Sequence, residues 1–288
     1  MTSFTQQGRK KAYTMIEIMV AMTMMSVIVV GLLATLNQTQ KTLKAAGGQS
    51  DTLEGGRAFM ALVSREIKEL ALFPESVTNT FRFYSFVHEP ATPLMQNIPN
   101  LPEKRTNLLS SFGLVTLDKE FNRWRLVLYD VDLGEWRTNR STAVYRMETN
   151  FPIYRLEGFP GTDLMSFQSR FHFTNGNRIN ASRDTNLFTK VLDGVVSLRI
   201  HAYDINGTRI RDWLPNTVPF GYSFTNSSPL LSTNYRPASL EVELGVLDPE
   251  IHLKVKSMES PSVASTFLQD RVANVQVFRQ RISVPTGP

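Results

Sequence analysis

From Met15 to Leu36 the chain reads MIEIMVAMTMMSVIVVGLLATL, apolar or small at every position except the acid Glu17. A run of about 22 such residues rises about 33 Å as an α-helix, enough to cross the hydrocarbon core of a bilayer. It is a membrane segment. Arg9, Lys10 and Lys11 precede it and the next cation is Lys41. Excess positive charge marks the cytoplasmic end of a span, so the bulk of the chain is expected on the far side.

Glu17 needs a reason, because a carboxylate inside an apolar span is costly to bury. The order of residues supplies one. Basic residues, the small Ala12, the aromatic Tyr13, Thr14, the aliphatics Met15 and Ile16, then Glu17 resemble the class III signal of type IV pilins and type II secretion pseudopilins. The resemblance implies a membrane peptidase cut between Ala12 and Tyr13, N-methylation of Tyr13, and an assembly role for Glu17 as the fifth residue of the mature chain. The family has Gly before the cut; Ala12 departs from that, although a small residue still fits a tight peptidase site. Gly8 cannot substitute, since cleavage after it would put Arg9 first and Tyr13 fifth. In a stack of subunits, the amine freed on one Tyr13 would meet the Glu17 of a neighbour. Such a pair is favourable in low dielectric because either partner alone is worse.

Two plainer readings compete. One is a signal anchor with a chance acid near its interfacial end. The other is a secretory signal peptide, whose apolar core is normally about 7 to 15 residues and ends at an A-x-A-like site. Here Leu36 runs into Asn37, Gln38, Thr39 and Gln40 instead.

The 288 residues suggest one or two domains. The net charge of +5 owes three units to Arg9, Lys10 and Lys11, which leaves a processed chain at about +2 and removes most of the case for nucleic acid, so no such partner is expected. There is no cysteine, which excludes disulfides, thiolate metal sites and cysteine nucleophiles. The 42% hydrophobic content suffices for a packed core, so the remainder is not a disordered stalk.

Residues 1–12 are read as a leader, 13–73 as one long helix with its transmembrane part at about 15–36, and 74–288 as a periplasmic β-rich domain. In the helix, Leu36, Leu43, Leu53, Met60, Ile67 and Leu70 recur near multiples of three and a half, and Phe73–Pro74 stops it. Gly47–Gly48 and Gly55–Gly56 mark a hinge that melts on assembly, a close packing contact, or an outright break. From Pro74 to Pro102 the chain reads as a loop-rich stretch with one strand around Phe81, Phe83 and Phe86. Thereafter the period is two: Trp124 to Tyr129, Phe167 to Phe173, Leu198 to Tyr203 and Leu240 to Val246 read as half-buried strands. Thr174-Asn175-Gly176-Asn177 and Asp204-Ile205-Asn206-Gly207 read as hairpin turns. Helical patterning after Pro74 is confined to Ser262–Val275. The expected fold is α+β, a long N-terminal helix packed on an antiparallel sheet.

His88, His172, His201 and His252 lack metal-ligand spacing, and His172 and His201 are placed on the solvent face. Asp130, Asp132 and Glu135 flank Gly134 and are the candidate cation ligands; the alternative is a solvated β-turn. Glu241 and Glu243 share one face of a strand, read as exposed. No G-x-S-x-G, H-E-x-x-H, P-loop or G-x-G-x-x-G occurs, so no catalysis and no cofactor are expected.

A second, looser resemblance links Val191 to Ile200, Trp213, and Arg236 to Leu244 to the late strands of the J-class minor pseudopilin. Together the resemblances imply a structural subunit of a type II secretion pseudopilus. Its partners would be other pseudopilins or pilins, a prepilin peptidase, an inner-membrane assembly platform driven by a cytoplasmic ATPase, and an outer-membrane secretin. The same signals fit a type IV pilus minor pilin. A membrane-anchored binding domain or hydrolase is the rival from another class.

Overall fold

A computed structural model describes residues 13–70, 81–88, 93–118, 121, 123–152, 187–210, 220–223, 237–258 and 260–284. The Phe167–Phe173 strand, the Asn175–Gly176 turn, His172 and Trp213 lie outside them. The fold is α+β, and the chain divides into two compact units between Gly47 and Gly48.

Helix α1, Met15–Lys68, runs unbroken through both glycine pairs. It ends earlier than Phe73: Glu69 is a turn and Leu70 forms a bridge to Thr116. In the first unit the large apolar side chains of residues 13–36 are 44–83% exposed. In the second unit α1 is amphipathic, burying Phe59, Met60, Val63 and Ile67. The periodic stripe therefore becomes a packing face only beyond Gly48, and Leu36 and Leu43 are exposed.

The second unit is built on a nine-stranded sheet of order β11-β10-β7-β6-β5-β4-β1-β9, with β8 also paired to β7. The strands are β1 Phe81–His88, β4 Leu109–Asp118, β5 Arg123–Val131, β6 Thr142–Pro152, β7 Phe188–Tyr203, β8 Arg209–Ile210, β9 Phe220–Ser223, β10 Ser239–Leu247 and β11 Val275–Ser283. A separate hairpin joins β2 Leu94–Asn97 to β3 Lys104–Asn107. All ladders are antiparallel except one parallel contact, Leu109 with Leu198. That contact curls β4 onto β7 where β6 has stopped pairing, at Thr142 opposite Val195.

Curling and the helix cover both faces of the central strands, so they are not half-buried as their alternation suggests. Leu126, Val127, Leu128 and Tyr129 are all at most 2% exposed. The core gathers around Tyr129, which stacks on Phe112 with centroids 4.6 Å apart and takes Phe59 edge-on at 5.6 Å. Glu66 is wholly buried there. Arg146 Nη2 donates to its Oε1 at 2.6 Å and Tyr129 Oη donates to its Oε2. Burial, then the Glu66 charge, push the Tyr129 phenol well above its ordinary range. Gly56 allows this close docking, because a Cβ there would lie 2.2 Å from the Phe278 ring. At this pair, close packing is the reading the structure supports; the one long helix expected is found, and the alternative of an outright break is overturned.

Three short helices follow, two of them unanticipated. They are α2 Leu133–Asn139, α3 Pro249–Lys256 and α4 Pro261–Gln269. The hairpin at Asp204–Gly207 forms as expected: Asp204 N donates to Thr208 O, and Gly207 sits at φ +78°.

Candidate functional site

The start of α1 is a reciprocal cap. Thr14 precedes the first helical residue and Glu17 stands three further on, the spacing of a capping box. The Glu17 carboxylate accepts from the Thr14 backbone N–H at 2.9 Å and from its hydroxyl at 3.1 Å. The Glu17 N–H returns a long contact of 3.4 Å to Thr14 Oγ1. One carboxylate thus closes the end of an apolar helix, which its reading as an assembly group had not included. The T-x-x-E spacing was the available signal.

The other polar side chains of the span are satisfied along the helix. Thr23, Ser26 and Thr35 donate to the carbonyls of Val20, Met22 and Gly31 at 2.8, 2.8 and 3.0 Å. In lipid such groups need internal partners, so their cost is small. The Glu17 carboxylate differs, because a local cap meets its hydrogen-bonding need but, among the described residues, leaves its charge without a counter-ion. Tyr13 lies immediately before the cap and is 83% exposed; Ala12 lies outside the described residues.

Asp130, Asp132 and Glu135 do not converge. Asp130 accepts from Ser111 Oγ at 2.5 Å and from Val131 N at 2.9 Å. Asp132 caps α2 by accepting from Gly134 N and Glu135 N at 2.8 and 3.2 Å. Glu135 takes Lys256 Nζ at 2.9 Å and Ala143 N at 3.2 Å. The stretch is therefore a capped helix start and not a β-turn, because Asp132 offers its oxygen to two otherwise unpartnered N–H groups. Glu243 is buried, against the expectation of exposure. Burial works to raise its carboxyl, but Arg279, Arg199 and Arg105 hold it below its ordinary value. His201 is likewise buried, its Nδ1 2.7 Å from Arg209 Nη2.

A constellation the sequence did not disclose joins Ser141, His252 and Asp193. Ser141 Oγ is 3.2 Å from His252 Nδ1, and His252 Nε2 is 3.1 Å from Asp193 Oδ1 but off the line of a ring N–H bond. A bulge aims Asp193: the β6–β7 register shifts around it, and Gly194 has φ +73°, with His252 Cγ 3.4 Å from where a Cβ would stand. The His252 contact, then Lys190 and the Gly194 N–H, hold the Asp193 carboxyl well below its ordinary range against its desolvation. Although Ser, His and Asp are nucleophilic-catalysis residue types, Ser141 is 0% exposed, so its hydroxyl has no open path to a substrate. The cluster ties α3 to β7 and to the start of β6. Ser141 and His252 lie 111 residues apart along the chain, beyond any spacing motif.

Residues 7–33 match the family described as Prokaryotic N-terminal methylation motif. No curated protein and no solved structure matches the chain. The motif match, on the apolar helix and its Thr14–Glu17 cap, supports a class III prepilin-type pilin or pseudopilin anchored in a membrane by α1.

Proposed function

We propose that this prepilin-type chain is a minor pseudopilin-like structural subunit of a type II secretion pseudopilus, assembled through the first half of α1. The observation that carries the reading is the placement of Glu17. It is the sole acid of the span and the fifth residue after the scissile Ala12–Tyr13 bond that the motif implies, held at the helix start by Thr14.

Cleavage would leave a cationic amine on Tyr13. In the free subunit the Glu17 carboxylate is occupied by its own cap; in a filament it pairs with the Tyr13 amine of a neighbour. Assembly then supplies the counter-ion that the cap does not. The leader side faces the cytoplasm, the head is periplasmic, and the anchor is in the inner membrane. Partners are other pseudopilins or pilins, a prepilin peptidase and an inner-membrane assembly platform. The subunit acts by contact and not by catalysis.

Intact mass and N-terminal sequencing, from membranes of cells with and without a prepilin peptidase, test this. A chain that begins at methylated Tyr13 only when the peptidase is present supports the reading. A chain retaining Met1–Ala12, or beginning beyond Leu36, overturns it. In the processed protein, Glu17→Ala should leave insertion intact and abolish incorporation into filaments sheared from cells. Co-purification with a secretin-linked export system supports the pseudopilus assignment; display on an extended surface fibre moves it to a pilus.

A further inference from the structure

Between the second half of α1 and β11 runs an open groove of about 740 Å³. Its helix wall is one stripe, Arg57, Met60, Ala61, Ser64, Arg65 and Lys68, the i, i+3, i+4, i+7, i+8, i+11 positions that share a helical face. Small residues at the middle of the stripe leave the space, and cations stand at both ends. The opposite wall is Val277–Gln280 of β11.

β11 is the last strand of the sheet order and pairs only with β10 among the described residues. Its register shows which backbone groups are used. Asp248 N donates to Asn274 O and Val284 N donates to Ala238 O, each at 3.0 Å, so even-numbered residues face β10. In an antiparallel ladder the intervening residues point the other way. The N–H and C=O groups of Val277, Arg279 and Arg281 are thus directed out of the sheet edge. Among the described residues, no backbone bond outside the ladder reaches them.

The charge of the groove is one-sided. Arg57, Arg65, Lys68 and Arg279 line it and no acid does. Arg279 is engaged by Glu243 and Glu241; Arg57, Arg65 and Lys68 have no acidic partner among the described residues. The helix dipole favours Arg65 and Lys68, which lie in the last turn. It does not account for Arg57, two turns earlier on the same stripe.

We propose that this groove receives an extended acidic segment of a partner protein, which adds to β11 as a further strand. Main-chain bonds to Val277 and Arg279 give it direction, and its acids meet the helix stripe. The dimensions agree. Arg57 to Lys68 spans about 16 Å along the helix, the length of about five extended residues. Arg57 and Arg65 are about 12 Å apart along the axis, which acids four residues apart on a strand, about 13 Å, reach together. This docking needs only the folded head and is independent of the filament reading.

The test is fluorescence anisotropy with the full chain in detergent micelles and a labelled synthetic peptide of about nine residues. The peptide has a Thr and Val background and two Glu four positions apart. It should bind, more weakly as salt is raised. Arg65→Glu, and Val277→Pro, which removes an outward N–H and spares the inward ladder, should each weaken binding by about tenfold or more. Near-ultraviolet circular dichroism reports whether Val277→Pro has kept the fold. Methylating the alternate amides of the peptide that would face β11 should have the same effect with the protein unaltered. No binding by the native chain overturns the proposal. So does equal binding of the methylated peptide, since a merely electrostatic surface, such as one suited to anionic lipid vesicles, ignores amide donors. Indifference to Arg65→Glu overturns it as well.

Discussion

The two halves of α1 differ in what surrounds them, although they are one unbroken helix. Residues 15–36 are apolar around the whole circumference and expose their large side chains. Residues 48–68 are apolar on one stripe and bury it. A helix hydrophobic on all sides needs lipid or other helices, whereas a striped helix is satisfied by one packing surface. The same distinction separates the two acids of the helix that matter most here. Among the described residues Glu17 has a local cap and no counter-ion, while Glu66 has Arg146 and Tyr129 closed around it. The first acid caps its own helix end; the second is spent on the fold.

The largest break in that contrast should come from truncating matched apolar residues. Phe59→Ala is expected to cost the head about 4 kcal/mol, measured by urea unfolding of the detergent-solubilised chain through tryptophan fluorescence. Met24→Ala, in the exposed half, should leave that transition within about 0.5 kcal/mol. Next, Arg146→Met strands the Glu66 carboxylate in the core and should cost about 3 kcal/mol or more. The double variant Glu66→Gln with Arg146→Met should recover part of that loss.

A smaller and more discriminating effect concerns the glycines. Gly56→Ala forces the Phe278 ring aside and should destabilise by about 1–3 kcal/mol. Gly47→Ala meets nothing within 4 Å and should add helix stability of up to about 1 kcal/mol. Opposite signs at two glycines of one helix would confirm that packing, not hinge motion, selects Gly56.

The smallest effect should appear on the acid side. A carboxyl whose folded value is lowered stabilises the fold above its unfolded value of about 3.9 and loses that contribution as pH falls through the folded value. Asp193 is such a group, held down first by His252. Asp193→Asn should therefore flatten the fall in stability below about pH 4, measured by urea unfolding across an acid pH series.

The membrane segment, the position of Glu17, the helix length to within a few residues and several strands were legible in the sequence, because each depends on local composition or a short period. Burial was not. Glu243 and His201 alternate with apolar neighbours and read as solvent-facing, yet Arg279 and Arg209 cover them. Alternation reports that a strand has two faces and cannot report that both are covered. Helices α2 and α3 were missed because each is at most eight residues long, too short for a 3.6-residue period to show.

The sequence by itself determined that this chain enters a membrane at its N-terminus, carries one acid at the start of that span, and continues into an antiparallel β-rich head. Those properties rest on contiguous residues. Only the tertiary structure decided that Gly56 is a contact and that Glu66 is a buried anchor. It also decided that Ser141, His252 and Asp193 meet, and that β11 leaves an edge beside a basic helical stripe. Each of these joins residues from distant parts of the chain, and the free energy of such a contact depends on a neighbour that no local pattern names.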